Sequence, residues 1–384
     1  MSNRKRIAIL ADFPWSFFAD GATGRGGGQA CTWLSQLAAE FADLSPYEIH
    51  WVSIDRDLTW GPVMRQAWGG QQFSKIPGGR LKIDLSLGYG LSRYLLRREL
   101  KRIRPSLIHC WGTERSYSIM CGTAGLPAIL SMQGVLSNLR KKGYLPDTWV
   151  WRRIPALEQA FIEKATVVTC ESQWAADRVL EVVPDADVRQ VEYGVHPSFY
   201  DLEWQPDENQ PYAVFIGTLT GYKGVNTLLD ALRNLEDRSW TFKFVGGDGP
   251  LLDEVRNCGI PRVEFLGNLP WTRLQQVLRK ASCLVHPTLA DSSPNVVKEA
   301  RVVGLPVITT PHGGQAGYIR DGENGIIVER LEPIELARAL SRLMDDPQLA
   351  RRMGAARHAA DRAYFRPAET AQGFLRIYEE LVSR

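Results

Sequence analysis

Short, near-continuous apolar runs alternate with helix-period stretches along the whole chain. In the first half the runs are Arg6–Asp12, Glu48–Asp55, Leu107–Gly112, Ala128–Gly134, Thr166–Ser172 and Val188–Gly194. In the second half they are Ala213–Gly217, Phe242–Gly246, Val263–Gly267, Cys283–Thr288, Pro306–Thr310 and Gly325–Glu329. Short, β-branched runs of this kind predict strands covered on both faces. Between them, Val225, Leu228, Leu229, Leu232 and Leu235 keep a helical spacing, as do Ile334, Ala337, Leu340 and Met344. The alternation predicts α/β architecture with parallel, doubly wound sheets. The pattern pauses over Val195–Tyr212, rich in Pro, Asp, Glu and Asn, and then restarts. Two Rossmann-like domains in series follow, 1–198 and 199–363, with an amphipathic tail helix over about 364–384 carrying Phe374, Ile377, Tyr378 and Leu381. Such sheets bind ligands at their strand carboxyl ends, so a cleft between two facing sheets is the expected site.

The length of 384 residues agrees with two domains, because one core rarely grows past about 300 residues. Hydrophobic and charged fractions of 44% and 23% exclude a disordered or collagen-like chain. No uncharged apolar run reaches the roughly 18 residues of a membrane span. Arg4-Lys5-Arg6 followed by Ile7–Leu10 resembles a signal peptide, but Asp12 cuts the run short and a first strand is expected instead. Six cysteines without a CxxC pair read as reduced core thiols of a cytoplasmic protein. A net charge of +3 gives no footprint for nucleic acid.

The richest segment is Leu289–Ala300, directly after the run Cys283–Thr288. Ser293 suits an N-cap and Pro294 the first helical position. A helix starting there would aim the N–H groups of Asn295, Val296 and Val297 at a ligand, and helix N-termini bind phosphates. Glu299, one turn in, could accept hydrogen bonds from a vicinal diol such as a ribose, with Asp291 on the preceding loop placed for further hydroxyls. Gly217-Thr218-Leu219-Thr220-Gly221-Tyr222-Lys223-Gly224 also follows a strand and opens a helix, with Lys223 as a point charge for a diphosphate. Phe244–Pro250, containing Gly246, and the loop Gly24-Arg25-Gly26-Gly27-Gly28-Gln29 are two further strand-end glycine turns.

In order and spacing, Gly217–Gly224, Val245–Pro250, Asp291–Ala300, Gly304–Ile308, Gly313-Gly314 and Asp321–Gly325 resemble the C-terminal domain of family 4 glycosyltransferases. More loosely, Gly26–Gly28 and Ile108–Glu114 are similar to members that build surface polysaccharides. The resemblance implies a GT-B fold: an acceptor domain and a donor domain, the last helix crossing back onto the first. It implies retaining transfer of a hexose from a nucleoside-diphosphate sugar, UDP or GDP, without metal or other cofactor. Carried over by position, Lys223 would bind the phosphates and Glu299 the ribose. Asp291 and the segment Ser292, Ser293, Asn295 and Val296 would hold the sugar. Thr218 and Gly246 would line the donor site, Gly27 and Gly28 would approach the diphosphate, and the base would lie near Gly267–Leu269. His109, Glu114 and Gln133 would meet the acceptor, a glycan or a lipid-linked molecule.

The pattern also departs from the family. Asp291 replaces the usual Glu, Thr218 the usual Arg, Gln133 a common His, and Gly317 stands near the place of a usual Glu. Arg25, Arg115 or Arg140 could supply the missing cation. Asp55-Arg56-Asp57 spells the DxD of manganese-dependent transferases, and Gly24-x-Gly26-x-x-Gln29 approximates a dinucleotide fingerprint; both read as turns. His312 beside Gly313-Gly314 falls at another expected site edge. The basic stretch Arg93–Arg104, and Arg140–Lys142 with Trp149, Trp151, Arg152 and Arg153, fit either a solvated face or peripheral contact with an anionic membrane at its cytoplasmic side. The expected function is a retaining glycosyltransferase. The alternatives are a nucleotide-sugar epimerase of the same fold and a non-catalytic nucleotide-sugar binding protein.

Overall fold

The computed structural model describes residues 4–18, 32–58, 60–122, 125–235 and 237–383. The chain divides into two compact units, Met1–Gly194 with Pro367–Arg384, and Val195–Arg366. The boundaries therefore fall at 194/195 and 366/367 rather than at 198/199 and 363/364.

The sheet of the first unit contains β1 (Arg6–Leu10), β2 (Glu48–Asp55), β3 (Met64–Trp68), β4 (Gln71–Pro77), β5 (Leu107–Trp111), β6 (Ala128–Ser131), β7 (Val167–Cys170) and β8 (Val188–Gln190). Their order is β3-β4-β2-β1-β5-β6-β7-β8, and among the described residues only the β3–β4 pair is antiparallel. The helices are α1 (Thr32–Leu44), α2 (Leu81–Ser86), α3 (Gly90–Ile103), α4 (Leu136–Lys141), α5 (Trp149–Ile162) and α6 (Gln173–Val182). In β1 the run Ile7–Leu10 is fully buried, as a strand covered on both faces must be.

The second unit orders its six parallel strands β11-β10-β9-β12-β13-β14: β9 (Tyr212–Ile216), β10 (Thr241–Val245), β11 (Val263–Phe265), β12 (Cys283–His286), β13 (Val307–Thr309) and β14 (Gly325–Ile327). Its helices are α7 (Val225–Arg233), α8 (Leu252–Arg256), α9 (Trp271–Lys280), α10 (Asn295–Val303), α11 (Pro333–Met344), α12 (Pro347–Ala355) and α13 (His358–Tyr364). The last helix, α14 (Pro367–Ser383), belongs to the first unit and buries the expected stripe of Phe374, Ile377, Tyr378 and Leu381.

Each of the twelve expected runs holds a strand, usually ending before the residues expected to close it. Two strands are additional. Gly69 and Gly70, both at positive φ, turn β3 into β4, and β4 then adds to β2 in parallel.

Inside the second unit, Arg301 on α10 is fully buried. Its Nε donates to Asp361 at 2.8 Å, and its guanidinium also donates to the carbonyls of Leu305 and Ala356 at 3.0 and 2.6 Å. One side chain thus ties α10 to α13 and to the end of α12. Removing one partner of a buried pair strands the other charge. Arg301→Met is expected to lower unfolding free energy by about 3 kcal/mol or more, read as a shifted urea midpoint.

Candidate functional site

Parallel order sends every strand of the second unit out at the same sheet edge, so the loops after β9, β10, β12 and β13 are neighbours there. They are joined mainly through backbone. Leu219 N–H donates to Asp248 O at 2.9 Å, Leu289 N–H to Tyr222 O at 2.7 Å, and Gly314 N–H to Asp291 O at 2.8 Å. Two glycines make this approach possible. A Cβ on Gly224 would collide with the carbonyl of Pro287, and one on Gly246 with the carbonyl of Gly217; both residues also hold positive φ.

On this frame Lys223 Nζ donates to Asp291 Oδ2. The two side chains are 16% and 17% exposed, so the pair is sheltered but reachable. His286, the last residue of β12, is 2% exposed, and its Nε2 lies 3.4 Å from the same carboxylate oxygen. Burial opposes the charge on Asp291, but the Lys223 ammonium and His286 outweigh it and hold the carboxyl well below the usual range. Burial pushes the His286 imidazole down, against the opposing pull of Asp291. Its Nδ1 has no hydrogen-bond partner among the described residues.

α10 starts just after this pair. Its N-cap is Pro294 rather than Ser293, and no side chain caps it. Ser293 Oγ instead bonds Tyr318 OH at 2.8 Å, tying the Asp291 loop to the segment after Gly313-Gly314. The first helical residues, Asn295 and Val296, keep their N–H groups free of hydrogen bonds among the described residues, so positive helix-end potential is offered outward. Glu299 lies four residues into α10 and is partly buried. Burial pushes its carboxyl up to about 7, with only the Lys298 charge opposing. Thr218 is exposed, and Leu269 is partly buried on the loop after β11, where Gly267 O accepts from Gly246 N–H at 3.0 Å.

Gly27, Gly28 and Arg25 lie outside the described residues. Of the other candidate cations, Arg115 pairs with Asp12 at 3.1 Å and Arg140 with Asp147 at 2.8 Å. In the first unit Glu114 and Gln133 follow β5 and β6, which are paired neighbours, and both are partly exposed. Burial raises the Glu114 carboxyl, with Asp12 adding to the rise and Arg115 opposing it.

His109 does not belong with them. It is fully buried, with Nδ1 2.7 Å from Tyr378 OH and Nε2 2.7 Å from Ser131 Oγ. Both ring nitrogens are occupied by the fold, leaving none for an acceptor, and burial pushes the imidazole down to about 3. The expected acceptor role of His109 is therefore withdrawn. Asp55 takes the N–H groups of Asp57 and Leu58 and pairs with Lys75 at 2.7 Å, so the DxD closes a turn. His312 is exposed. Sequence reasoning passed over His286, whose signal was its place at the end of the strand feeding the Asp291 loop.

Residues 200–359 match the family model described as "Glycosyl transferases group 1". A D-inositol 3-phosphate glycosyltransferase of Nocardia farcinica is 33% identical over 216 residues, 53% of this chain and 47% of that protein. The chain spans about half the length of the curated relatives with which this match begins. Among solved structures, sucrose-phosphate synthase of Thermosynechococcus elongatus superposes with a TM-score of 0.79 at 17% identity, covering 99% of this chain and 100% of that one. The Anabaena protein HepE, in complex with UDP and glucose, gives 0.71 at 16% identity, covering 99% and 100%. The fold is thus that of GT-B glycosyltransferases, two parallel-sheet α/β domains.

The Glu299 carboxyl carries a testable signature. Its folded value near 7 stands above the ordinary value of 4.5, so the fold favours its protonated form. That contribution is complete below pH 4.5 and is lost as pH rises through 7. Glu299→Gln is expected to flatten this loss, leaving the variant about 2–3 kcal/mol more favourable relative to wild type at pH 8 than at pH 4.5, by urea unfolding at both.

Proposed function

We propose that this protein is a retaining glycosyltransferase that moves a hexose from a nucleoside-diphosphate sugar, with UDP or GDP as carrier, to a hydroxyl of a glycan or lipid-linked acceptor. The observation that carries the reading is the uncapped start of α10 beside the Lys223–Asp291 pair, inside the segment that matches glycosyltransferases. An ammonium and free amides at one sheet edge suit a diphosphate. The UDP held by the structurally similar HepE supports the same ligand class.

In this reading Lys223 and the amides of Asn295 and Val296 take the diphosphate. Glu299, once ionised, accepts from the ribose hydroxyls, and Asp291 both aims Lys223 and takes a sugar hydroxyl. The oxygen of the acceptor hydroxyl attacks the anomeric carbon from the face the diphosphate leaves. The bond from that carbon to the diphosphate breaks, its electron pair stays on the departing oxygen, and the acceptor proton passes to the same oxygen. Negative charge grows on the diphosphate as the bond breaks, so prearranged donors lower the barrier. No metal is required in this scheme, and turnover is expected to survive EDTA. Glu114 and Gln133 would meet the acceptor.

A thermal-shift screen against UDP-, GDP- and ADP-sugars identifies the donor, since a bound ligand raises the melting temperature. With that donor, Lys223→Ala is expected to cut turnover about 100-fold or more, the range seen for lost transition-state donors, and Glu299→Ala about tenfold or more through lost charge-assisted bonds to the ribose. Near wild-type turnover in either variant would remove the site assignment.

A further inference from the structure

In the first unit, α2, the turn Leu87–Tyr89 and α3 form a helical hairpin with an unusual division of charge. The stretch 80–104 contains two acids, Asp84 and Glu99, and both are buried. Asp84 pairs with Arg56 at 3.1 Å and accepts from the N–H groups of Leu91 and Ser92 at 3.1 and 3.2 Å. Glu99 pairs with Arg102 at 2.7 Å and Arg65 at 3.1 Å, and accepts from Ser74 at 2.9 Å. Every other ionised side chain in the stretch is Lys or Arg, and each is exposed. Among the described residues Arg80, Lys82, Arg93, Arg97, Arg98 and Lys101 form no ion pair. The outer face is purely cationic.

That face is also apolar. Ile83, Leu87, Leu91 and Tyr94 are 60%, 65%, 41% and 63% exposed. Of the eleven exposed large hydrophobic residues among those described, seven lie between 58 and 94. Their exposure is built into a fixed corner. Tyr89 is fully buried in the left-handed region, and its N–H donates to Asp84 O at 2.7 Å. The loop carrying the 87%-exposed Trp60 is tied to the start of α2 by Gly79 N–H donating to Leu58 O at 3.2 Å.

Large apolar side chains gathered in one stretch and left in water mark an interaction surface. Aliphatic tips ringed by unpaired Arg and Lys match a partner that is anionic at its surface and apolar just beneath. A bilayer with anionic headgroups has that layering, and long basic side chains can keep their charges at the headgroups while their neighbours insert. We propose that the α2–α3 hairpin docks on an anionic lipid surface, with Ile83, Leu87, Leu91 and Tyr94 inserted and the arginines and lysines on headgroups. This deepens the proposed function and rests on it for its purpose: docking would confine the enzyme to the plane that holds a lipid-linked acceptor.

Vesicle flotation tests it, using phosphatidylcholine with and without phosphatidylglycerol. The full chain is expected to float with the anionic vesicles and to detach at high salt. The double variants Leu87→Ser/Tyr94→Ser and Arg97→Glu/Arg98→Glu are each expected to lose about tenfold or more in vesicle partition. Unchanged circular dichroism and an unchanged donor thermal shift would show that both variants still fold. A wild-type chain that stays behind from anionic vesicles overturns the proposal, as do folded variants that float like wild type. A concentration-dependent dimer abolished by Leu87→Ser/Tyr94→Ser would assign the face to a second copy and also overturn it. Loss of the donor thermal shift in wild type, with flotation intact, would strike the enzyme reading and leave the docking surface standing.

Discussion

Contact of backbone against backbone at the strand ends of the second unit is the constraint on which its chemistry depends. A parallel sheet delivers the segments after all six strands to one edge, yet ordinary side chains would hold those loops apart. Gly224 lets its turn press on the carbonyl of Pro287, and Gly246 does the same on the carbonyl of Gly217. Only because these approaches are made does the Lys223 ammonium reach the carboxylate of Asp291, 68 residues further on. A methyl group at either glycine would act on the ion pair without touching it.

The same edge separates two carboxylates by environment. Asp291 is sheltered, but it faces an ammonium and an imidazole, and it stays ionised. Glu299 is sheltered one turn inside α10 with little opposing charge, and its carboxyl rises to about 7. Near neutrality the first is a permanent anion and the second is poised between states, so a hydroxyl-bearing ligand that bonds the ionised form would draw Glu299 into it.

Much of the architecture was legible because fully covered strands must be apolar throughout. The run Ile7–Leu10 admits no polar residue, and such runs announce themselves. The hairpin of β3 and β4 did not, because Arg65-Gln66 on the edge strand β3 and Gln71-Gln72 at the start of β4 dilute the alternation. Its Gly69-Gly70 turn was the available signal. Lys223, Asp291 and the start of α10 were readable from glycine turns and helix-end chemistry. The partner each side chain finds was not. Ser293 looks like a cap, but Tyr318, 25 residues later, claims its hydroxyl. His109 looks like a ligand at a strand end, but Tyr378 on the far end of the chain claims its ring. Contacts of that separation leave no local trace.

The two sheets share a winding rule and differ in what they offer at the carboxyl edge. That of the second unit presents an ammonium and open amides, groups that donate and that favour anions. That of the first presents Asp12, Glu114 and Gln133 after β1, β5 and β6, groups dominated by acceptor oxygens. Asp12 is already committed to Arg115 and to the Tyr117 hydroxyl, which lies behind it. Glu114 and Gln133 remain at the edge, both partly exposed. That edge is mixed, since Arg115 and the Gln133 amide also donate there, whereas the edge of the second unit is rich in donors. In the proposed function it is therefore the second unit's edge, with its ammonium and open amides, that takes the diphosphate.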